Sequence, residues 1–172
     1  MGSEMCIRDR AINYDGSSPH RGDGFQFHVG TMRSKSRGFV AIKNADPQNS
    51  PIIKFNYLSH SDDLKDFRNA IRITRNILDQ PAFKDFAGQE IQPKPTVKSN
   101  RELDEFIKSS VESAFHPCGT CKMGDPADKE TVVTPECKVN GVENLFCADS
   151  SIFPSITNGN LNAPSIMVCL LY

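Results

Sequence analysis

Two amphipathic helix patterns in the middle of this 172-residue chain constrain its fold most. In the first, Ser61-Asp62-Asp63 places a capping side chain and two acids at a helix start. Apolar or small side chains then recur at spacings of three and four, as on one face of a helix: Leu64, Phe67, Ile71, Thr74 and Leu78. This pattern predicts a helix that ends near Pro81.

The second helix pattern starts at Ser99-Asn100-Arg101-Glu102, which has the spacing of a capping box. It should stop before Pro117. The run between the helices, Ile91-Gln92-Pro93-Lys94-Pro95, is too rich in proline for regular structure and is predicted to be a surface connection. One face of the second helix carries Leu103, Phe106, Ile107 and Val111.

Extended segments and turns precede the helices, from Ala11 to Tyr57. Phe39-Val40-Ala41-Ile42-Lys43 and Pro51-Ile52-Ile53-Lys54-Phe55 are rich in strand formers, and Tyr14-Asp15-Gly16-Ser17 has turn chemistry. An antiparallel sheet with two flanking helices, an α+β fold, is therefore expected. The ends, Met1 to Arg10 and Cys169 to Tyr172, look foreign to the rest and are excluded from this prediction.

Composition excludes several classes of function. The 38% of hydrophobic residues suffice for a core, and 20 basic against 21 acidic residues leave a net charge of -1, so no nucleic acid partner is expected. No apolar stretch approaches the roughly 18 residues that cross a bilayer, so the chain itself is predicted to be soluble. Six cysteines without a dense framework favour a reducing compartment.

The densest chemical cluster is His116-Pro117-Cys118-Gly119-Thr120-Cys121-Lys122-Met123-Gly124. A zinc-binding module using His116, Cys118, Cys121 and Cys137 is one hypothesis, although the H-x-E half of the zinc deaminase signature is missing. A thioredoxin-like redox pair is another, but Gly119-Thr120 favours a loop over the helix start that such a pair needs. The third is structural, with small buried cysteines in a tight turn and a satisfied histidine.

The order of several motifs favours a fourth interpretation. HPCGTCKMG, followed by Val139 to Ser151 and by Gly159-Asn160-Leu161-Asn162-Ala163, resembles the C-terminal signature of the glucose-methanol-choline oxidoreductases. The segments Ala11 to Ser17, Gly24 to Gly30 and Phe67 to Arg75 resemble the choline-oxidising branch of that family. The resemblance implies part of a substrate-binding domain over residues 11–115, then a catalytic loop and a return into the FAD-binding domain over residues 116–168.

The resemblance implies a role for several of these residues. His116 is implied to face the flavin and to accept the proton of the substrate hydroxyl, as an imidazole is able to do near neutral pH. Asn162 is implied to bind the substrate oxygen, while Asn158 and Asn160 are alternatives that more simply shape the loop. Phe115 is implied to wall a trimethylammonium pocket, unless it is plain core. Cofactor contacts are implied for Asp149, Ser150, Asn160 and Ala163, with Asp149 alternatively capping the next turn.

The whole enzyme implied by the resemblance oxidises choline with FAD and passes electrons to a quinone or other respiratory carrier. It would lie on the cytoplasmic side, peripheral to the bacterial inner membrane, or in mitochondria. This chain has no G-x-G-x-x-G turn, the backbone cradle for a dinucleotide pyrophosphate. It is therefore expected to be a fragment that binds FAD weakly by itself, its partner being the missing N-terminal part. Another primary alcohol is the alternative substrate.

Overall fold

The computed structural model describes the backbone of residues 3–8 and the chain from residue 23 to residue 171. In these ranges the strands are β1 (Ser3–Arg8), β2 (Gln26–Thr31), β3 (Phe39–Ala41) and β4 (Ile52–Lys54). The helices are α1 (Ser61–Leu78), α2 (Asn100–Ser110) and α3 (Asn162–Leu171). None of the helices within these ranges is long and apolar enough to cross a membrane.

The strands form two antiparallel pairs. β1 pairs with β2, with Ser3 opposite Thr31, and β3 pairs with β4, with Phe39 opposite Lys54. The α+β class is confirmed, but the expected single antiparallel sheet was wrong, because the described strands form two separate two-stranded sheets. β1 lies within Met1 to Arg10, the segment that was excluded from the prediction. That segment was excluded because its apolar residues show no periodicity. The predicted turn at Tyr14 to Ser17 lies outside the described residues.

The chain divides into two compact units. The first unit comprises Tyr57–Val111 and the described residues before Arg37, and the second comprises Arg37–Asn56 and the chain from Glu112 onward. The segment that carries β3 and β4 thus groups with the C-terminal part of the chain. The predicted boundary at residues 115 and 116 concerned domains of a larger protein and stays a prediction.

The core of the first unit lies between α1 and α2. Leu103 is fully buried, and Ile71 and Ile107 pack with it. Burial of three such aliphatic side chains contributes roughly 2 kcal/mol each. Partly buried apolar side chains surround them: Leu58, Leu64, Phe67, Val97 and Phe106. The predicted apolar faces of both helices are therefore the faces that meet in the core.

The ends of the two helices differ in how well local sequence predicted them. The capping box of α2 is present, since Ser99 Oγ accepts from the Glu102 N–H and the Glu102 carboxylate accepts from the Ser99 N–H. At α1 the predicted cap was wrong: His60, not Ser61, is the N-cap, and its Nδ1 accepts from the Asp62 N–H at 3.2 Å. α2 ends at Ser110 because Val111 is already extended, with ψ 132°.

Arg75 of α1 holds the connection that leads to α2. Its guanidinium bonds the Glu90 carboxylate at 2.9 Å and the Val97 carbonyl oxygen at 2.7 Å. Such a planar fork of donors suits several acceptors at fixed positions. Pro93, inside the predicted surface connection, is buried, so the expectation of a wholly exposed segment was wrong at this residue.

Asp63 is a buried carboxylate in the first turn of α1, with 1% of its surface exposed. Three donors from consecutive residues meet it: Ser34 Oγ at 2.6 Å, the Lys35 N–H at 2.8 Å and the Ser36 N–H at 2.9 Å. Burial raises the pKa of Asp63, but the hydrogen bonds from Ser34, Ser36 and Lys35 outweigh it and lower that pKa to about 2. The carboxylate therefore ties the segment after β2 to the start of α1.

The stability that Asp63 contributes should depend on pH. Its pKa is depressed from the usual 3.8 to about 2 on folding, so the contribution is present above 3.8 and disappears as pH falls through 2. Each unit of pKa shift corresponds to about 1.4 kcal/mol, so this shift contributes about 2 kcal/mol. Hydrogen exchange of the α1 amides, corrected for intrinsic rates, should be slower in the native chain than in Asp63→Asn at pH 4. The two exchange rates should converge as the pH falls to 2. A difference that persisted unchanged at pH 2 would contradict this.

The core of the second unit is built from loops. Val133, Cys137 and Ile152 are buried, with Met123, Val139, Cys147 and Val168 packed around them. Backbone bonds from the N–H groups of Cys121 and Met123 to the carbonyl oxygens of Ser151 and Ile152, at 2.9 and 2.8 Å, join two loop segments. The predicted shift to loops after Pro117 is confirmed. α3 continues through Cys169, which had been excluded as foreign.

Gly38 lies just before β3, where the backbone passes close to Lys54 and Phe55. A Cβ placed there would lie 2.1 Å from the Lys54 carbonyl oxygen, a backbone atom that has little freedom to move. Gly38→Ala is therefore expected to separate β3 from β4, seen as loss of amide protection at Val40 and Ile53 by hydrogen exchange. Gly30→Ala, where a Cβ meets nothing within 4 Å, is the matched control and should leave this protection intact.

Candidate active site

A strained turn presents His116. Phe115, the residue before it, has φ 58°, a left-handed conformation that is rare for a bulky residue, and 71% of its surface is exposed. Ser113 Oγ accepts from the Phe115 N–H at 2.9 Å and supports this conformation. Such strain is found preferentially at functional sites.

Gly119 fixes the other side of the same turn. Its φ is 85°, and a Cβ there would lie 3.1 Å from the Phe153 carbonyl oxygen. The Gly119 N–H donates to the Ser150 carbonyl oxygen at 3.3 Å. The turn is therefore attached to the segment that carries Asp149 and Ser150, both predicted site residues. Gly119 and Ser150, which lie 31 positions apart in two different sequence motifs, thus meet through their backbones.

The imidazole of His116 is half-buried and contacts a loop 44 residues further on. Its Nε2 lies 2.8 Å from Asn160 Oδ1. Asn160, for which a cofactor contact was predicted, is thus the amide that meets the imidazole. Asn162 is the exposed first residue of α3, and its predicted role beside His116 stays a prediction.

Asp149 caps the short 3-10 helix Ser150–Ile152. Its Oδ1 accepts from the Ser151 N–H at 2.7 Å, and its Oδ2 lies 3.9 Å from the Cys147 thiol. Hydrogen bonds from the side chain and backbone of Ser151 lower the pKa of Asp149, so it is charged at neutral pH. The capping alternative is therefore what the structure shows, and the cofactor contact stays a prediction.

Ala163 is exposed in the first turn of α3, and its predicted cofactor contact stays a prediction. The first N–H groups of a helix have no partner inside it and carry partial positive charge. Pro164 follows without an N–H, and the Ser165 N–H bonds the Leu161 carbonyl oxygen at 2.9 Å. The N–H groups of Asn162 and Ala163 thus head α3 and suit an electron-rich ligand atom.

The cysteine cluster gives no support to the zinc or redox hypotheses. Within the described ranges, no three His, Cys, Asp or Glu side chains are placed to hold a metal ion. Cys137 is buried in the apolar core together with Val133 and Ile152. Burial raises the pKa of Cys118, with Arg37 opposing the rise, whereas a redox-active thiol needs a depressed pKa.

Sequence reasoning missed two features of the site. Ser113 was not singled out. A serine side chain often accepts a hydrogen bond from the backbone N–H two residues later, and this local pattern was the available signal. The contact between Asn160 and His116 had no local signal, because Asn158, Asn160 and Asn162 are the same residue type in one loop. Only the path of that loop distinguishes them.

Comparison with known proteins identifies the family to which this chain belongs. Residues 34–169 match the C-terminal model of the GMC oxidoreductase family. The chain belongs to the GMC oxidoreductases. It is 60% identical over 158 residues to the oxygen-dependent choline dehydrogenase of Brucella ovis, and 54% identical over 157 residues to that of Rhizobium rhizogenes. These matches cover 92% and 91% of the chain.

The chain spans 29% of the length of these curated relatives. Among solved structures, pyridoxine 4-oxidase from Mesorbium loti superposes with a TM-score of 0.82 at 31% identity, over 91% of this chain and 30% of that one. Formate oxidase from Aspergillus oryzae superposes with a TM-score of 0.81 at 28% identity, over 88% and 26%. The resemblance inferred from HPCGTCKMG and the later motifs is thus confirmed at the level of the family.

Proposed function

We propose that this chain is the C-terminal part of an FAD-dependent alcohol dehydrogenase that oxidises choline to betaine aldehyde. The observation that carries the proposal is the placement of His116, half-buried on a strained turn with its Nε2 against an amide. The identity of 60% to relatives named choline dehydrogenase supports the choice of substrate.

His116 acts as the general base in this proposal. Hydride leaves a carbinol carbon readily only when the attached oxygen has alkoxide character, and the imidazole supplies that by taking the hydroxyl proton. Asn162 holds the substrate oxygen through its amide and so orients the carbinol carbon. FAD, when bound, supplies the acceptor for the departing hydride.

The residues present fit a flavin dinucleotide. Asp149 is an exposed, charged carboxylate able to accept from ribityl hydroxyls, and the neighbouring Ser150 adds a hydroxyl. The N–H of Ala163 at the head of α3 suits an electron-rich oxygen of the cofactor. Asn160, also predicted in this group, has its amide oxygen at His116 instead. The remaining contacts, including the pyrophosphate turn, belong to the N-terminal part of the enzyme.

Phe115 selects for the cationic substrate in this proposal, since an exposed aromatic ring beside the base is placed to meet a trimethylammonium group. In the complete enzyme, Phe115→Leu should lower kcat/KM for choline roughly 5- to 30-fold, which corresponds to the about 1 to 2 kcal/mol of a cation–π contact that bound substrate shields from water. For the neutral isostere, in which carbon replaces the quaternary nitrogen, the change should stay within about threefold. Equal losses for both substrates would make Phe115 a packing residue.

Another primary alcohol is the alternative substrate, because solved relatives with this fold carry other names, among them pyridoxine 4-oxidase and aryl-alcohol oxidase. Anaerobic reduction of the complete native enzyme by choline and by its neutral isostere tests the choice. Choline should reduce the flavin much faster at equal concentration, and a preference for the neutral alcohol would overturn choline as substrate.

The fate of the electrons and the location of the enzyme complete the proposal. Electrons pass from the reduced flavin to a quinone or another respiratory carrier, with the enzyme peripheral to the cytoplasmic side of a bacterial inner membrane or inside mitochondria. Steady-state turnover with a soluble quinone analogue, compared with molecular oxygen, identifies the acceptor. If turnover were faster with oxygen, oxygen would take the place of the quinone or respiratory carrier as the electron acceptor in this proposal.

A further inference from the structure

Ser113 lies three residues before His116, at the start of the turn that presents the imidazole. We propose that Ser113 is a positioning residue, which holds Phe115 in its left-handed conformation and thereby directs His116 into the site. This inference rests on the proposed function, in which His116 takes the hydroxyl proton of the substrate.

The conformation of Phe115 needs support from a neighbouring group. At φ 58° the side chain of an L-residue crowds its own backbone, so bulky residues rarely adopt this region. The ring of Phe115 is 71% exposed, and burial of the ring therefore contributes little to holding the residue there. A hydrogen bond to the backbone is the contact that selects this conformation directly.

Ser113 supplies that hydrogen bond. Its Oγ accepts from the Phe115 N–H at 2.9 Å, and the serine itself is half-buried. A hydroxyl in this place acts as the acceptor that a backbone carbonyl oxygen provides in an ordinary turn. Ala114 and Phe115 have no polar side-chain atom, so Ser113 is the residue of this short segment whose side chain is able to accept.

His116 lies between two attachments of the turn. The Ser113 bond holds the side before it, and the Gly119 N–H holds the side after it through the Ser150 carbonyl oxygen at 3.3 Å. The backbone angles of Phe115 set the direction in which the chain enters His116. A general base works only within hydrogen-bond reach of the proton, so a rotated turn lowers the fraction of enzyme with a productive imidazole.

The test uses the complete flavoenzyme and the neutral isostere of choline, so that a cation contact with the Phe115 ring does not enter. Ser113→Ala removes the acceptor and should slow anaerobic flavin reduction at saturating substrate roughly 3- to 10-fold, the equivalent of one ordinary hydrogen bond. KM should stay within about twofold, because the groups that bind the substrate remain.

Two further variants separate the hydrogen bond from general effects of substitution. Ser113→Thr keeps the hydroxyl and should reduce its flavin within about twofold of the native rate. Ser110→Ala, at an exposed serine that ends α2, is the control and should also stay within about twofold. Native rates in Ser113→Ala, or equal losses in Ser113→Ala and Ser113→Thr, would overturn the inference.

A double-mutant cycle with Phe115→Gly shows whether Ser113 acts through the backbone of the turn. Glycine adopts positive φ without a steric penalty. In the Phe115→Gly background, Ser113→Ala should therefore slow the reaction less than about twofold, and an undiminished loss would overturn the inference. If Ser113→Ala fails to retain flavin, Ser113→Val takes its place as the isostere of Ser113→Thr. Near-native reduction by His116→Ala would instead overturn the proposed function.

Discussion

His116→Ala in the complete flavoenzyme is expected to slow flavin reduction by choline roughly 10²- to 10⁴-fold, the usual loss when a general base is removed. The reason is local: in the proposed mechanism, the imidazole is the group that takes the hydroxyl proton as hydride leaves. Stopped-flow absorbance of the oxidised flavin under anaerobic conditions measures the rate directly. Flavin content should be unchanged, because the cofactor contacts proposed for this chain come from Asp149, Ser150 and Ala163.

His60→Ala provides a matched control for this experiment. His60 is also a histidine with a partly exposed side chain, but it caps α1 in the first unit. Its loss should cost about 1 kcal/mol of helix stability and leave the rate of flavin reduction unchanged. If His116→Ala reduced its flavin at a near-native rate, the proposed base would be wrong, whatever the family.

Asp63→Ala is expected to destabilise the start of α1 by roughly 3 kcal/mol, because three donors lose one buried acceptor. Hydrogen exchange of the α1 amides should accelerate about a hundredfold, since 1.4 kcal/mol corresponds to a factor of ten. The measurement is local, so it does not require the whole enzyme to unfold in one step. Retained α1 protection would show that the segment after β2 is held by other contacts.

Asp62→Ala is the matched control for this substitution. Asp62 is the preceding acid in the same helical turn, with a half-exposed side chain that pairs with Lys35 at the surface. Lys35 lowers the pKa of Asp62 by hydrogen bonding and charge, but exposed ion pairs of this kind contribute little to stability. Exchange of the α1 amides should therefore change less than threefold. Sequence alone gives the two neighbouring aspartates the same role, whereas the structure separates them.

Local patterns in the sequence were sufficient for the helices and for the family. The repeat of apolar residues predicted α1 and α2 because a helix places every third or fourth side chain on one face, whatever that face meets. The capping box at Ser99 and Glu102 was readable because all its atoms lie within one turn. HPCGTCKMG with the later motifs identified the family because their order along the chain is itself specific.

Contacts between distant segments were decided only by the tertiary structure. Asp63 is a buried anchor and not a surface acid, because Ser34, 29 residues earlier, bonds to it. Asn160 is the amide that meets His116, because the loop 44 residues later passes beside the imidazole. β3 and β4 group with the C-terminal unit for the same reason. The type of a side chain and its sequence neighbours determine what it is able to bind. The packing of the entire chain determines which partner it meets.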